Sequence, residues 1–361
     1  MKTPALIVLA AVTAAVAVSA ALAVQSRAPS VARASPGGGE AVFPALAGKA
    51  DAIAQVVVTR ADGAFTLARK GEHWVLADRG DFPARDEQVK KSVEALASLR
   101  LMEPKTAKAS LLPRLDADDP TAAGSKATLV TLKNAQGAEI GRVILGKTRP
   151  DSLENPRAGV YARRISDARA WLAEGDPKIA AAAADWVERA VLTLKTEDVR
   201  LIATTGADGA KLAAARQKPE DKDFKLADLP AETRIKNQAS VNELANTLDA
   251  LLLDDVRAAG SVEFAPNADK AEFARFDGLV VRLILAKVKN DTWVKIAGAA
   301  EAWTRTEDGK TATVEPSDAA KKEAADLNAR IGPYAFRITE SAAKKLVTRL
   351  ADLTEKEEKK S

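Results

Sequence analysis

The sequence contains no cysteine among its 361 residues and only one histidine, His73. Without cysteine the chain forms no disulfide, carries no lipid on an N-terminal cysteine and builds no cysteine-ligated metal or redox centre. A single histidine without cysteine also falls short of the usual ligand set of a zinc site and of a nucleophilic triad. We therefore predict no metal, no cofactor and no catalytic residue, and we interpret His73 as a half-exposed strand residue.

Aromatic residues and long runs of one charge are also scarce. Aromatics make up 4% of the chain, and the 54 basic and 50 acidic residues are interspersed, which leaves a net charge of +4. Nucleic-acid binding requires a concentrated basic face, so that class of partner is excluded. Apolar residues reach 47%, much of it alanine, which predicts a packed core in a chain long enough for about two domains.

The N-terminus carries the longest hydrophobic run. Residues 1–24, "MKTPALIVLAAVTAAVAVSAALAV", contain one cation, Lys2, and are long enough to span a bilayer, which takes about 20 apolar residues. The Ala21-Leu22-Ala23 sequence also fits a signal-peptidase site, so an uncleaved anchor and a cleaved signal peptide both remain open. With Lys2 inside, the rest of the chain is periplasmic, on a single-pass inner-membrane anchor or as a soluble protein after cleavage.

A repeated pattern follows the leader. The tetrapeptide Ala-Asp-Gly-Ala occurs around Asp62 and Asp208, "HWVLAD" is answered by "DFKLAD", and each copy then changes from strand alternation to helical periodicity. The corresponding positions lie about 150 residues apart, with Val89 matching Val241 and Leu96 matching Leu248. We predict an α+β fold of two tandem strand–turn–strand–helix–strand modules with mainly antiparallel sheets, preceded by one N-terminal transmembrane or signal helix.

This pattern divides the chain into six segments. Asp86 is predicted to cap the helix of the first module and Thr339 the C-terminal helix of the second. The segments are a signal anchor or signal peptide (1–24), a flexible Pro/Gly/Ser-rich tether (25–42), the first module (43–170), a helical connector (171–195), the second module with its C-terminal helix (196–354) and a disordered tail (355–361).

The stretch "GRVILGKT", residues 141–148, matches the phosphate-loop pattern G-x-x-x-x-G-K-[ST]. A phosphate loop needs a flexible turn that leads into a helix, whereas Val143, Ile144 and Leu145 favour a strand. Pro150 follows, where a helix would have to begin. The second copy has "RLILAK" at residues 282–287, with alanine in place of the second glycine, so we predict a strand and no nucleotide.

Two clusters of polar side chains remain as candidate sites. In "GVYARRI", Tyr161, Arg163 and Arg164 place two guanidinium groups beside a phenol, which suits an anionic ligand or the carboxylate of a partner. An exposed strand edge explains the same residues. The second cluster, "LDADDP" at residues 115–120, lacks the spacing of a calcium-binding EF-hand loop and is interpreted as an acidic turn.

Several phrases together resemble the DUF4340 family, named for a domain of unknown function. They are "FPALAGKADAIAQVVV", "HWVLAD" followed by "FPARDEQVKKSVEALASLRLMEPKTA", "RLDADDP", "VILGK" leading to "GVYARR", and "NARIGPYAFRI". The resemblance implies a membrane-anchored extracytoplasmic protein. Some members are linked to ABC transporters of the gliding-motility type, which implies an accessory role. The family has no established catalytic residues to transfer.

The sequence as a whole favours a non-enzymatic periplasmic protein that binds a partner or ligand as an auxiliary of an ABC-type transport system. The expected partners are the inner membrane, through the N-terminal helix, and a transporter permease or another envelope protein. Two alternatives stay open. One is an exported hydrolase of envelope polymer that uses carboxylates in a crevice between the modules. The other is a solute-binding protein.

Overall fold

The computed structural model describes residues 39–150, 159–249, 251–307 and 310–356. No helix in these ranges is long and apolar enough to cross a membrane. The predicted leader, residues 1–24, lies outside them. Two large antiparallel sheets and a few short helices make up the described chain, which confirms the predicted α+β class with mainly antiparallel sheets.

The first sheet contains ten strands, and every neighbouring pair is antiparallel. Its spatial order is β1-β6-β10-β9-β8-β7-β2-β3-β4-β5. The strands are β1 (Glu40–Ala41), β2 (Gln55–Arg60), β3 (Gly63–Lys70), β4 (His73–Leu76), β5 (Phe82–Pro83), β6 (Arg100–Pro104), β7 (Thr128–Lys133), β8 (Glu139–Arg149), β9 (Gly159–Arg164) and β10 (Trp171–Glu174).

The remaining strands form a nine-stranded sheet and two short ribbons, in which β15 pairs with β23 and β20 with β21. They are β11 (Ala190–Leu192), β12 (Val199–Thr205), β13 (Lys211–Ala215), β14 (Lys225–Leu226), β15 (Thr233–Ile235), β16 (Leu251–Ala258), β17 (Lys270–Arg275), β18 (Leu279–Val288), β19 (Asp291–Ala300), β20 (Trp303–Glu307), β21 (Lys310–Val314), β22 (Tyr334–Ile338) and β23 (Thr354–Lys356).

The second large sheet has the order β11-β16-β22-β19-β18-β17-β12-β13-β14. Position by position this is the order of the first sheet, with β11 in the place of β1, β16 in that of β6, and β14 in that of β4. Strand β5 extends the first sheet by one further position.

Five α-helices occur in the described ranges, and polar side chains cap three of them. Asn237, Ser317 and Thr339 each accept a hydrogen bond from a backbone N–H of the first helical turn, which confirms the predicted cap at Thr339. Asp86 is the first residue of its helix rather than its cap, which is Arg85. The helices are α1 (Asp86–Ser98), α2 (Gln238–Asn242, continued by a 3-10 turn over Glu243–Leu248), α3 (Asp318–Ile331), α4 (Glu340–Leu346) and α5 (Leu350–Leu353).

The phosphate-loop match lies inside a strand, as predicted. Residues 141–148 belong to β8, where Val143, Ile144 and Leu145 pair with β7 on one side and β9 on the other. Lys147 donates a hydrogen bond to the carbonyl oxygen of Arg114 at 2.8 Å, so its amine holds a neighbouring loop.

One continuous hydrophobic core joins the two sheets. It contains the apolar face of α1, the apolar face of α2 and its 3-10 continuation, and the inward-facing residues of the long strands. At the junction Trp186 is fully buried, Arg79 Nε donates to Asp255 Oδ1 at 3.0 Å, and the rings of Phe82 and Tyr334 meet edge to face at 4.8 Å. Burial, with the charge of Asp81 beside it, raises the pKa of the Tyr334 phenol.

The helical connector predicted over residues 171–195 is wrong. Its first part is strand β10, which pairs with both β6 and β9, and its later part holds a 3-10 turn (Ala183–Trp186) and strand β11. The alanine-rich stretch has high helix propensity, but propensity is a small term beside two strand pairings. Gly175, at φ 115°, and Pro177 also interrupt a helix there.

The predicted tether and tail are each wrong at the end nearest the folded region. Ala41 of the predicted tether (25–42) pairs with Arg100, and the Val42 N–H donates to the Leu99 carbonyl oxygen at 2.8 Å. Glu355 of the predicted tail (355–361) pairs with Arg234 in the ribbon of β15 and β23. Both segments form backbone hydrogen bonds, which cannot be predicted from their small or charged side chains. Residues 25–38 and 357–361 lie outside the described ranges.

Candidate functional site

A cleft of about 310 Å³ opens on the second sheet beside the connection between β18 and β19. Most of its walls come from the segment 263–269 before β17, the facing ends of β18 and β19, and helix α4 with the residue after it, and Ala207 completes the lining. Its lining is mainly small and apolar, with charged groups at the rim. The lining residues are Ala207, Glu263, Ala265, Asn267, Ala268, Asp269, Leu285, Ala286, Lys287, Thr292, Glu340, Ala343, Lys344 and Val347.

The first wall is fixed by Asp269. Its carboxylate accepts hydrogen bonds from the Ala207 N–H at 3.0 Å and from Arg349 Nη2 at 3.1 Å, and its carbonyl oxygen accepts the Leu285 N–H at 2.9 Å. The Arg349 guanidinium lies directly on Gly206, because a Cβ added at Gly206 would come within 2.0 Å of it. These contacts tie the wall to β18 and to Arg349, and the Asp269 carboxylate is already paired with a cation.

Helix α4 forms the second wall. The Thr339 cap sets where the helix begins, and Ala343 and Val347 then face the cleft one turn apart. Glu340 and Lys344, four residues apart, form an ion pair of 2.9 Å. The hydrogen bond and charge of Lys344, with a further contribution from Lys287, lower the pKa of Glu340. Both groups of this pair are exposed, so the pair orients the rim more than it stabilises the fold.

A second, more polar depression of about 590 Å³ continues from the cleft and shares Lys287, Thr292 and Glu340 with it. Within it Arg337 is already engaged. Its Nη1 lies 3.6 Å from Asp291 Oδ2, and its Nη2 donates to the Asp254 carbonyl oxygen at 3.3 Å.

Three polar side chains of the cleft have no hydrogen-bond or ion-pair partner within the described ranges. The Lys287 amine and the Glu263 carboxylate form no ion pair or hydrogen bond with any residue that the structure describes. The Thr292 hydroxyl, in a residue that is otherwise buried, likewise has no protein partner in that part of the chain. A cation, an anion and a hydroxyl around an apolar floor are suited to binding a small polar ligand.

The candidate site residues predicted from the sequence lie outside the cleft, in β9, and they do not all lie on the same face of the sheet. Strand alternation in β9 puts Tyr161 and Arg163 on one face of the first sheet and Arg164 on the other. Arg163 Nε donates to the Ala117 carbonyl oxygen at 2.8 Å. Arg164 donates to the Val42 carbonyl oxygen at 3.2 Å and pairs with Glu40 at 2.9 Å. Both arginines thus hold crossing segments of the chain, and their role in ligand binding stays a prediction.

The other polar residues considered in the sequence also have local partners. His73 Nδ1 lies 2.7 Å from Asp86 Oδ2, and Asp86 Oδ1 accepts the Trp74 N–H at 2.6 Å. In the acidic turn, hydrogen bonds from the backbone and hydroxyl of Thr121 lower the pKa of Asp119. Within the described ranges no three His, Cys, Asp or Glu side chains are grouped so as to hold a metal ion.

Sequence reasoning missed the cleft because its lining is spread over residues 207–347 and follows no motif. The one local signal was the capped helix "TESAAKKL", whose Glu340 and Lys344 spacing predicts an ion pair but not a cleft.

Comparison with known proteins gives a family but no activity. Searches of curated proteins and of solved structures find no match to the chain. A family model described as "Domain of unknown function (DUF4340)" matches residues 74–277, which is more than half of the chain. The matched region begins in β4 and ends after β17, so it spans parts of both large sheets. The protein therefore belongs to the DUF4340 family.

Proposed function

We propose that this protein is a non-enzymatic binding protein, anchored in the inner membrane by residues 1–24, that serves an ABC-type transport system as an accessory on the periplasmic side. The observation that carries the binding role is the cleft between residues 263–269 and α4, with its fixed walls and its free charged groups. The leader supports the anchor, and the family resemblance supports the link to a transporter.

We further propose that the folded region arose as two tandem copies of one module. The shared strand order of the two large sheets supports this duplication. So do equivalent buried positions: Val89 with Val241, and Leu96 with Leu248, each fully shielded from solvent. At the start of the helix, Asp86 accepts the Trp74 N–H in the first copy, while Gln238 donates to the Phe224 carbonyl oxygen in the second.

Site-specific photo-crosslinking in native membranes tests the accessory role. A photoreactive residue at Lys289, on the rim of the polar depression, should capture a permease or another envelope protein identified by mass spectrometry. The same probe at Lys322, an exposed residue of α3 outside both depressions, is the matched control and should capture much less. Recovery of no transporter or envelope protein from either position would refute the accessory role.

The anchor is tested separately by alkaline extraction of membranes. A chain that keeps residues 1–24 should stay in the membrane pellet, whereas a chain cleaved after Ala23 should be released. Intact-mass measurement of the recovered protein tells the two apart, because cleavage removes the whole apolar run. Release of a cleaved chain would leave the binding role standing and replace the anchored form with a soluble periplasmic one.

Of the two alternatives, the solute-binding protein has a specific observation in its favour, namely the cleft itself. The hydrolase alternative requires free carboxylates between the modules. At the junction Asp255 pairs with Arg79 at 3.0 Å, and Asp254 pairs with Arg189 at 3.0 Å. If alanine substitution of these carboxylates leaves the cellular phenotype intact, the hydrolase alternative fails.

A further inference from the structure

The geometry points to a short peptide with free termini and small side chains as the ligand of the cleft beside α4. We infer a peptide of two or three residues, such as di-alanine, with its ammonium group at Glu263 and its carboxylate at Lys287. The inference rests on the proposed binding role and adds the chemical class of the ligand.

The pairing of charges inside the cleft carries the first step. The rim holds five charged side chains, and three of them are already satisfied: Asp269 by Arg349, and Glu340 and Lys344 by each other. The remaining two, Glu263 and Lys287, have opposite signs and form no ion pair or hydrogen bond with a described residue, although the Lys287 charge also acts on Glu340. A ligand that carries one cation and one anion can therefore form a charge-assisted hydrogen bond with each of these two exposed side chains.

The floor and the volume carry the second step. A volume of about 310 Å³ lies at the lower end of the range for ligand pockets, about 300–1,000 Å³. Five alanines contribute to the lining, so the surface is apolar. We infer from the small volume that the cleft takes methyl-sized side chains in preference to aromatic ones. The ligand thus combines two charged ends with a small apolar middle, which is the chemistry of a short alanine-rich peptide.

The position of Thr292 sets the direction of the ligand. Thr292 and Lys287 both lie where the cleft meets the polar depression, whereas Glu263 lines the apolar cleft only. A carboxylate at this boundary receives one hydrogen bond from the Lys287 ammonium and one from the Thr292 hydroxyl. The amino terminus of the peptide then points toward Glu263, which lines the cleft but not the polar depression.

Isothermal titration calorimetry on the full-length chain in detergent tests this inference, with di-alanine as the probe. We expect saturable binding of di-alanine, and at least tenfold weaker binding of its N-acetylated form and of its C-terminal amide. Di-phenylalanine should bind at least tenfold more weakly as well, because the inferred site favours methyl-sized side chains over two aromatic rings. No heat with di-alanine, or equal binding of the blocked forms, overturns the inference.

Variants assign the effect to the proposed residues. Lys287→Met and Glu263→Gln should each weaken di-alanine binding at least tenfold, and Lys287→Arg should retain most of it. The matched control is Lys345→Met, which removes an exposed lysine of α4 that does not line the cleft and should leave binding unchanged. Unchanged thermal midpoints show that the variants fold. Full binding by Lys287→Met overturns the assignment.

The two proposals fail separately. Loss of peptide binding with a transporter component still captured at Lys289 would refute the peptide ligand alone. Peptide binding without any captured envelope partner would refute the accessory role and leave a peptide-binding protein.

Discussion

The two large sheets share a strand order but differ in what covers them. Helix α1, with 13 residues, lies on the first sheet, whereas the corresponding helix of the second, α2, has 5 residues and continues as a 3-10 turn. The second sheet also carries the ribbon of β20 and β21 and the helices α3 and α4. The cleft lies against α4, one of these additions. The proposed binding cleft thus lies at the periphery, where loops and short helices tolerate change, while the order of the strands is the same in both sheets.

The largest effect on stability is expected from replacing the leucine that occupies the matching buried position in each of the two helical segments. Leu96 in α1 and Leu248 in the 3-10 turn after α2 are both 0% exposed. Leu96→Ala and Leu248→Ala should each lower the free energy of unfolding by about 2–5 kcal/mol, because each leaves a cavity in the same core. Urea denaturation followed by circular dichroism measures the loss.

An exposed control lies on the same helix as the first leucine. Lys91→Ala should change the free energy of unfolding by less than about 0.5 kcal/mol. A loss below about 1 kcal/mol for Leu248→Ala alone would show that the shorter helix of the second sheet is only loosely packed, and the equivalence of the two positions would fail.

A smaller change in stability is expected at a position where matching strands of the two sheets carry different residues. Gly146 in β8 corresponds to Ala286 in β18, and a Cβ at Gly146 would lie 2.1 Å from the Leu115 carbonyl oxygen. Gly146→Ala should therefore cost about 1–3 kcal/mol, because a backbone segment has to move. Ala286 packs against Trp293, so Ala286→Gly should cost about 1 kcal/mol through a lost methyl contact and added chain entropy.

Thermal unfolding of both variants checks this difference. The measurement needs the wild-type chain and Ala213→Gly as a reference, since Ala213 lies in a strand of the second sheet and is only partly buried. Equal losses of stability for Gly146→Ala and Ala286→Gly would mean that the segment at Leu115, which covers β8, is free to move. The two positions would then differ by chance rather than because of packing.

The parts of this fold that sequence could predict are those with a local cause. Strand alternation in "RVILGK" and the helical spacing of Val89, Val93 and Leu96 are short-range patterns, and the predicted strand and buried helix face agree with the structure. Residues 171–174 form a strand because β6 and β9 lie on either side, and that long-range pairing leaves no local signal. The cleft is even harder to predict from local sequence, because its lining comes from five separate stretches of chain.

The smallest expected effect is a difference in how the stability contributed by the first residue of α1 and of α2 depends on pH. Burial raises the pKa of Asp86, but hydrogen bonds from His73 and from the Trp74 N–H outweigh it, so the pKa lies below its ordinary value. Gln238, at the equivalent position, does not titrate, and it binds the Phe224 carbonyl oxygen at 2.9 Å. Stability from the Asp86 charge is therefore present above the unfolded-state pKa of about 3.9 and is lost as the pH falls through the lower folded-state value.

Asp86→Asn keeps an acceptor for the Trp74 N–H but removes the charge at the start of α1. At pH 7 it should cost about 0.3–1 kcal/mol, and the difference from wild type should shrink toward zero below about pH 4. Gln238→Ala should instead cost about 0.5–1.5 kcal/mol for each hydrogen bond lost, since the Gln238 amide also donates to Asn242 Oδ1 at 3.1 Å, and this cost should not vary with pH. Urea denaturation of the three chains from pH 7 to pH 3 measures both trends. A constant Asp86→Asn difference across this range would mean that the carboxylate acts only as a hydrogen-bond acceptor, and the two helix starts would then be chemically equivalent.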